Sequence, residues 1–289
     1  LWNTYSFFIT YAKLDGFNPN NYDLKKIDLN VLDKWILAKM NLFIKDSEKC
    51  YKSYELYKLM KISSGILDDI SNWYVRRNRR RFWKSENDND KVAAYLTLYN
   101  VILIYIKILA PVIPFITDKI YQNLVRKINN NEQDSIHLSN FPKFDNSFID
   151  DKLIWEIDSV KEVVSLGRSV RNKVNLKVRQ PLSEVCIYFK SNNDYSIECY
   201  NDQIIQELNV KKVNFVNDIE DIVEYKIKPN FALINQKYSE IKGDVISFIN
   251  SQNSNKIIKE ISKNKKILIK NLNIDLVYED FIIEEIPKE

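Results

Sequence analysis

The sequence contains few of the residues that turn or cross-link a chain. Only 4 glycines and 7 prolines occur in 289 residues, fewer than the frequent turns of an all-β protein require. The three cysteines, Cys50, Cys186 and Cys199, are far apart and form no CxxC pair, so we expect neither a zinc ribbon nor a disulfide framework. Dispersed thiols are typical of a reducing compartment, which predicts a cytoplasmic protein.

The sequence also lacks the patterns of a metal centre and of a membrane segment. His137 is the only histidine, and it has no cysteine or acidic partner at metal-ligand spacing, so we expect a surface or packing residue. Residues 1–15 contain no basic segment followed by an apolar run, so no signal peptide is predicted. The most apolar stretch, residues 101–116, is too short to span a bilayer and is interrupted by a lysine and two prolines. We predict a buried core helix there and no membrane partner.

Apolar and charged residues occur in the proportions of a globular protein, at 45% and 28% of the sequence. The length is enough for about two domains. The net charge is only +4, but it is unevenly distributed. Residues 71–84 hold six cationic side chains and residues 165–183 hold five, with no acidic residue in either segment. Such a concentration of positive charge is expected where a protein binds polyanions.

Apolar residues at three- and four-residue steps predict a series of helices in the first part of the chain. We expect Asp28 to cap the first of them, and Thr117 to cap the fourth, with Ile116 packing on Tyr121. The predicted helices cover residues 28–44, 54–83, 91–110, a segment from 117 onward and 151–170, with polar breaks at 87–90 and 129–134.

The pattern changes after Pro181, where short β-branched and aromatic runs alternate with helical ones. Strands are predicted over residues 185–189, 213–216, 223–227, 266–269 and 282–286, and helices over 204–208 and 245–258. The prediction is a mainly α protein: an up-and-down helical bundle over residues 1–180, followed by a smaller α+β domain over residues 181–289.

The first basic segment reads SNWYVRRNRRRFWK over residues 71–84. On an ideal α-helix, one wide face would carry the arginines with both indoles among them, and Val75 and Phe82 would lie on the other side. Like-charge pairs at three- and four-residue spacing each cost about 0.2–0.5 kcal/mol, so an anionic partner is expected. Phosphates or carboxylates from another part of the protein could serve, and plain solvation of a charged face is the alternative.

The second basic segment reads GRSVRNKVNLKVRQPL over residues 167–182. Arg168 and Arg171 are one helical turn apart near the end of the fifth predicted helix. Lys177 and Arg179 have strand spacing, so we expect them to share a face while Val178 points away. Four cations arranged in this way could hold a nucleic-acid backbone. The alternative is a helix C-terminus whose cations favour the helix dipole.

These two segments resemble isoleucyl-tRNA synthetases of the archaeal and eukaryotic cytoplasmic type. The similarity is carried by NWYVRR at residues 72–77, RRRFW at 79–83 and LKVRQPL at 176–182, and is supported by LDKWIL at 32–37, AP and PFIT at 110–117, SIHL and FP at 135–142, LNVK at 208–211 and VEYKIKPN at 223–230. The order of these blocks agrees throughout, and the resemblance covers roughly residues 2–230.

The resemblance implies the anticodon-binding helical bundle of a class I synthetase, followed by a C-terminal junction domain that also contacts tRNA. It implies ATP and magnesium as cofactors of the full-length enzyme and none in this chain. With a single histidine, the two-histidine ATP-binding motif of the family cannot be present. Residues 61–64 only superficially resemble the KMSKS-like loop and lie inside a predicted helix. We therefore expect no catalytic residues, and two partners: isoleucine tRNA and the catalytic core of the same polypeptide.

The predicted tRNA-binding residues come from both basic segments. They are Trp73, Arg76, Arg77, Arg80, Arg81, Trp83, Arg168, Arg171, Lys173, Lys177 and Arg179. We expect Trp73, Arg76 and Arg80 to serve partly in docking, on the catalytic core or the tRNA stem, and Lys177 and Arg179 to hold an RNA loop. The open alternatives are the equivalent region of a valyl- or leucyl-tRNA synthetase, and a non-enzymatic helical interaction domain with a basic docking helix.

Overall fold

The computed structural model describes residues 1–83, 88–188, 195–216, 223–269 and 271–287. These residues form two compact units, Leu1–Ser159 and Val160–Glu289. The division falls inside a long helix, whereas the sequence places the domain boundary at residue 180. The two units are defined by contacts within the chain and are not domains as such, so the boundary at residue 180 stays a prediction.

The first unit is helical, as predicted. Its elements are α1 (Trp2–Leu14), α2 (Val31–Lys52), α3 (Leu56–Asp68), a π-helical turn (Asp69–Val75), α4 (Arg76–Trp83), α5 (Asn89–Leu109), α6 (Pro114–Tyr121) with a second π-helical turn (Gln122–Arg126), and the start of α7 (Asp151–Lys173). Residues 129–134 form turns, as predicted, and residues 61–64 lie within α3. Of the predicted break at 87–90, Asn87 lies outside the described residues.

Helix α2 begins two residues later than predicted. Asn30, not Asp28, is the cap: its side-chain oxygen accepts the backbone N–H of Asp33 at 2.8 Å. In return, Asp33 Oδ2 accepts the backbone N–H of Asn30 at 3.1 Å. This reciprocal pair satisfies two backbone donors that a single cap at Asp28 would leave unpaired.

Helix α6 begins at Pro114, so the predicted cap at Thr117 is wrong. Proline is favoured at the first helical position because its missing N–H would have no helical partner there. Thr117 lies one turn inside the helix and its hydroxyl donates to the carbonyl of Ile113 at 2.9 Å. The predicted packing of Ile116 on Tyr121 across a helix start therefore does not apply.

Helix α5 lies at the centre of the first unit. Asp88 caps it by accepting the backbone N–H of Lys91 at 2.8 Å. By length and composition alone this helix could cross a membrane, but 72% of its most apolar window is buried inside the unit. Its own Tyr95 is buried, as are Trp35 of α2 and Tyr74 of the first π-helical turn. A core helix is thus confirmed here, although it ends at Leu109, before the two prolines.

The second unit mixes short strands and helices, as predicted. It contains the rest of α7, then β1 (Leu182–Tyr188), α8 (Asn201–Leu208), β2 (Val210–Val216), β3 (Val223–Pro229), α9 (Phe231–Lys237), α10 (Lys242–Ser251), α11 (Ser254–Asn264), β4 (Lys266–Ile269), β5 (Ile274–Val277) and β6 (Phe281–Pro287). Strand β1 pairs in parallel with β2, while β3 pairs antiparallel with β6 and β4 with β5. Phe189, predicted in the first strand, lies outside the described residues.

The helix predicted over residues 245–258 is in fact two helices, α10 and α11. The chain turns at Gln252 and Asn253, and the Asn253 side chain accepts the backbone N–H groups of Asn255 and Lys256. A cap of this strength begins a new helix where apolar periodicity alone continues. Helices α1 and α9 and strand β5 were not predicted.

Candidate nucleic-acid interface

The first basic segment is the continuation of α3 through the π-helical turn into α4. Its i→i+5 hydrogen bonds widen the turn and change which side chains face the core. Trp73, inside this turn, is only 5% exposed, so the prediction that its indole lies among surface arginines is wrong. The guanidinium carbons of Arg76 and Arg77 lie 5.8 and 5.4 Å from the Trp73 ring centroid. These two arginines therefore cover the indole in addition to any role at the surface.

Arg81 is buried by an ion pair within the first unit. Its Nη1 and Nη2 atoms each lie 2.8 Å from an oxygen of Asp33, a carboxylate that is 0% exposed. Nη2 also lies 2.9 Å from Asp90 Oδ1, and the Tyr74 hydroxyl donates to Asp33 Oδ1 at 2.6 Å. The sequence left open whether phosphates or carboxylates pair with these arginines, and the partners of Arg81 are carboxylates. Its guanidinium holds α2, α4 and the start of α5 together.

The environment of this cluster shifts two pKa values. Burial lowers the pKa of Arg81, but its hydrogen bonds and charge interaction with Asp33 outweigh burial, and the net pKa is raised. Burial, followed by the Asp33 charge, raises the pKa of Tyr74 well above its ordinary value. Both side chains therefore keep their protons across the physiological range, and the ion pair persists there.

The rest of the first segment reaches the surface. Arg79 and Arg80 are exposed and Trp83 is 55% exposed, while Phe82 is buried, as predicted. Lys84 lies outside the described residues. The surface that this segment offers to a partner is thus formed by Arg79, Arg80 and Trp83, and we call it the α4 surface.

The second basic segment is organised around Arg171, which is buried near the end of α7. Its Nη1 donates to the carbonyls of Lys177 at 3.2 Å and Gln180 at 3.0 Å. Its Nη2 donates to the carbonyls of Leu208 at 2.7 Å and Asn209 at 3.2 Å. The guanidinium that the sequence assigned to tRNA therefore donates to four backbone carbonyls. Arg171 positions the chain that follows α7.

Asn209 also fixes this stretch. It adopts the left-handed conformation at the end of α8, with φ 51°, and its side-chain amide donates to the carbonyls of Val178 and Arg179 at 2.9 and 3.0 Å. Gly167 allows α8 this close to α7, since a Cβ there would meet two Leu208 methyl carbons at 2.7 Å. The backbone of residues 177–180 is thus held by side chains of both Arg171 and Asn209.

Lys177 and Arg179 do not lie in a strand, contrary to the prediction. The backbone N–H of Gln180 donates to the carbonyl of Lys177 at 3.0 Å, which makes residues 177–180 a β-turn, and β1 begins only at Leu182. Pro181 has no backbone N–H to donate, and Arg171 binds the carbonyls of Lys177 and Gln180. Regular strand pairing therefore does not include residues 177–180. Both side chains are nevertheless exposed, as is Lys173 at the end of α7. We call Lys173, Lys177 and Arg179 the turn surface.

Arg168 differs from these three because it has an acidic partner. Its Nη2 pairs with the carboxylate of Glu207, which is buried on α8. The guanidinium is partly exposed, so it balances a buried charge while still facing solvent. The structure thus brings Arg168, Arg171 and the turn surface together in the second unit, and places Arg81 and Trp73 in the core of the first.

Sequence reasoning missed three residues of these sites. Asp33 and Asn209 fix the two basic segments but lie 48 and 30 residues from the groups that they bind. Exposed Arg79 could have been found, because it belongs to the same RRNRRR run. His137 is exposed, as predicted. Within the described residues, no group of three or more histidine, cysteine, aspartate or glutamate side chains could hold a metal ion.

A helical bundle with cationic surface segments is compatible with nucleic-acid binding, and comparison with protein families identifies the class. Residues 33–187 match the model of the anticodon-binding domain of tRNA ligase. Because this match covers more than half of the sequence, the chain belongs to that family. The match contains both basic segments.

Isoleucine–tRNA ligases are among the similar proteins. The chain is 42% identical over 275 residues to the enzyme of Clostridium tetani, covering 95% of this chain and 26% of that protein. It is 40% identical over 285 residues to the enzyme of Clostridium novyi, covering 99% of this chain and 27% of that protein. It is 43% identical over 212 residues to the enzyme of Dehalococcoides mccartyi, covering 73% and 21%. The chain therefore spans about a quarter of the length of these relatives.

These relatives bear on two of the sequence interpretations. Their names favour the isoleucine enzyme over the valyl and leucyl alternatives. They are bacterial, however, and so give no support to the archaeal and eukaryotic type that the sequence motifs suggested.

Proposed function

We propose that this chain is the tRNA-recognising part of an isoleucine–tRNA ligase and binds the anticodon region of isoleucine tRNA. Activation of isoleucine with ATP and magnesium, and its transfer to the tRNA 3′ end, belong in this proposal to the catalytic core of the same polypeptide. That core is the second partner, and the location is the cytoplasm. Support comes from the family of residues 33–187 and from the names of the relatives. The proposal does not extend to the archaeal and eukaryotic type.

The observation that carries the proposal is the turn surface. Lys173, Lys177 and Arg179 are exposed, and the backbone below the last two is fixed by Arg171 and Asn209. A charged surface that is already ordered loses little conformational entropy when it binds, so more of its interaction energy appears as affinity. Lysine and arginine side chains positioned in this way contact phosphates and set the orientation of a nucleic acid.

The other predicted site residues take different parts in this proposal. Arg171 and Arg81 are positioning residues, because their guanidinium groups bind carbonyls and carboxylates of the protein. Arg168 adds partly exposed positive charge beside the turn surface. In the first unit, docking on the catalytic core or the tRNA stem falls to Arg80 and Trp83 of the α4 surface, with Arg76 and Arg77 beside them over Trp73.

The test is filter binding of the chain to isoleucine tRNA and to a second tRNA at several salt concentrations. We expect tighter binding of isoleucine tRNA and affinity that falls as salt rises, because bound cations release counterions from the phosphates. The variant K177A/R179A should bind more weakly and lose about 0.7–0.9 from the logarithmic salt slope for each phosphate contact removed.

The matched control is K256A/K263A, which removes the same charge from exposed lysines of α11 in the same unit. It should leave the salt slope of the wild type. Binding that is absent at low salt, or independent of salt, would instead favour the non-enzymatic interaction domain. The pure chain should also catalyse no isoleucine-dependent ATP–pyrophosphate exchange, and measurable exchange would contradict the assignment of chemistry to the catalytic core.

A further inference from the structure

The turn between α2 and α3 contains an aromatic residue in a position that normally requires glycine. The backbone N–H of Glu55 donates to the carbonyl of Cys50 at 2.9 Å, and that of Tyr54 to the carbonyl of Tyr51 at 3.3 Å. This pair of hydrogen bonds defines a Schellman motif, with Tyr54 at the left-handed position and φ 58°. Glycine has no Cβ to clash there, whereas a tyrosine is strained.

The strain is not offset by packing of the ring. Tyr54 is 91% exposed, and Tyr57, in the first turn of α3, is 85% exposed. No hydrogen bond or ring contact involves either side chain within the described part of the protein. Tyr51, three residues earlier, is the contrast, since its hydroxyl donates to the carbonyl of Ile108 at 2.6 Å and its ring meets Phe141. An aromatic side chain held outward at a cost in backbone strain indicates a role in binding.

The charges around the two rings favour a polyanion. Residues 56–67 contain two lysines, Lys58 and Lys61, and no acidic residue. Lys61 is exposed and lies four residues after Tyr57, on the same face of α3. Glu55 is the acid nearest in sequence, and its carboxylate is engaged by the Ser53 hydroxyl at 3.0 Å and Lys58 at 3.5 Å.

We propose that Tyr54 and Tyr57 form a stacking platform for unpaired bases of the bound tRNA, with Lys61 facing the RNA backbone. This inference rests on the proposed function and adds a second contact region, in the first unit. Exposed aromatic rings interleaved with cations form a surface that binds single-stranded RNA. Each base has a face that can stack on a ring, and each nucleotide has a phosphate that can pair with a cation. A protein partner would have to cover Lys61 with a carboxylate instead.

The decisive variant is Y54G, because folding and binding should change in opposite directions. Glycine relieves the left-handed strain, so the midpoint of denaturant unfolding should rise. Loss of one stacked base should weaken binding of isoleucine tRNA roughly tenfold. Y57A should weaken binding by a similar factor, while Y54F and Y57F keep the aromatic face and should bind as the wild type does.

The second readout is fluorescence of 2-aminopurine placed at unpaired positions of an anticodon stem–loop RNA. Stacking on a tyrosine should quench it with the wild type and with Y54F, but less with Y54G. Y278A, which removes an exposed tyrosine from the second unit, is the matched control and should change neither affinity nor quenching.

The outcomes separate this inference from the proposed function. If the wild type binds tRNA and K177A/R179A weakens it, but Y54G and Y57A bind normally, the stacking platform is wrong and the proposed function stands. If Y54F loses as much affinity as Y54G, stacking is wrong as well. If the wild type binds no tRNA at low salt, the proposed function fails and this inference fails with it.

Discussion

The two basic segments of this protein have similar compositions and opposite arrangements. In the first, Arg81 pairs with buried Asp33 and partly exposed Asp90. Arg76 and Arg77 cover an indole, which leaves Arg79 and Arg80 on the α4 surface. In the second, one buried arginine, Arg171, binds four carbonyls, and the cations that follow it in sequence are exposed.

The difference concerns what the buried arginine holds. Arg81 joins helices, so its contribution is to the stability of the first unit. Arg171 holds a β-turn, so its contribution is to the shape of the surface that carries Lys177 and Arg179. The number of positive charges in a segment therefore does not give the number that face a ligand, and some cations in both segments are part of the scaffold.

The first prediction removes the carboxylate under Arg81. The variant D33A leaves a buried guanidinium whose remaining carboxylate partner, Asp90, is partly exposed, and leaves Tyr74 without its acceptor. Breaking a buried pair from one side costs about 3–5 kcal/mol of unfolding free energy. All five tryptophans precede residue 160, so tryptophan fluorescence in denaturant reports on the first unit alone.

Its control is D46A on the same helix, whose carboxylate pairs with exposed Lys49 at 3.4 Å and should cost less than about 1 kcal/mol. The double variant D33L/R81M removes both buried charges, and should be more stable than D33A. If D33A unfolds at the same denaturant concentration as D46A, Arg81 is not part of the scaffold.

The second prediction removes the guanidinium under the turn surface. R171M removes a donor from four carbonyls. Those of Lys177 and Asn209 keep the backbone N–H groups of Gln180 and Leu182, so the loss should cost roughly 2–3 kcal/mol in the second unit, mainly from the carbonyls of Gln180 and Leu208. Affinity for tRNA should fall because the turn is no longer held, but the salt slope should persist because Lys177 and Arg179 remain. Far-ultraviolet circular dichroism, with unchanged tryptophan fluorescence, would locate the loss in the second unit.

The exposed neighbour Lys173 supplies the matched comparison. K173M should leave stability unchanged and flatten the salt slope by about 0.7–0.9 if Lys173 contacts a phosphate. Should R171M flatten the slope while stability stays the same, Arg171 would itself be a phosphate ligand and the positioning role would be wrong.

The helical part of the fold could be predicted from the sequence because its signals are local. Apolar periodicity gave α5 and α7 with ends within three residues of those observed, whereas α2 continues to Lys52, eight residues past its predicted end. The errors at Asn30 and Asn253 concern caps, where one hydrogen bond decides which polar residue begins the helix, and at Pro114 a proline begins the helix without a side-chain cap. Apolar periodicity carries no information about that choice.

The candidate sites could be predicted only in part, because their geometry depends on partners far away in sequence. Concentrated positive charge identified both segments, and exposed Lys177 and Arg179 were found. The burial of Arg81 requires Asp33, and the inward rotation of Trp73 requires the π-helical turn, which an ideal helix of 100° per residue does not contain. Tyr54 gave no signal because its left-handed conformation appears only in the structure.

The smallest effect is expected from the cations that remain on the α4 surface. R79Q/R80Q keeps good helix-forming residues and removes like-charge pairs with Arg76 at three- and four-residue spacing, so stability should change by less than about 0.5 kcal/mol. Binding of isoleucine tRNA by the chain should weaken less than in K177A/R179A, because among the described residues no group orders Arg79 and Arg80 as Arg171 orders the turn. If the α4 surface docks on the catalytic core, aminoacylation by the full-length enzyme should fall more than binding by the chain. The comparison therefore needs both variants in both lengths of protein. Loss of chain binding in R79Q/R80Q, with K177A/R179A unaffected, would show that the two surfaces have the reverse roles.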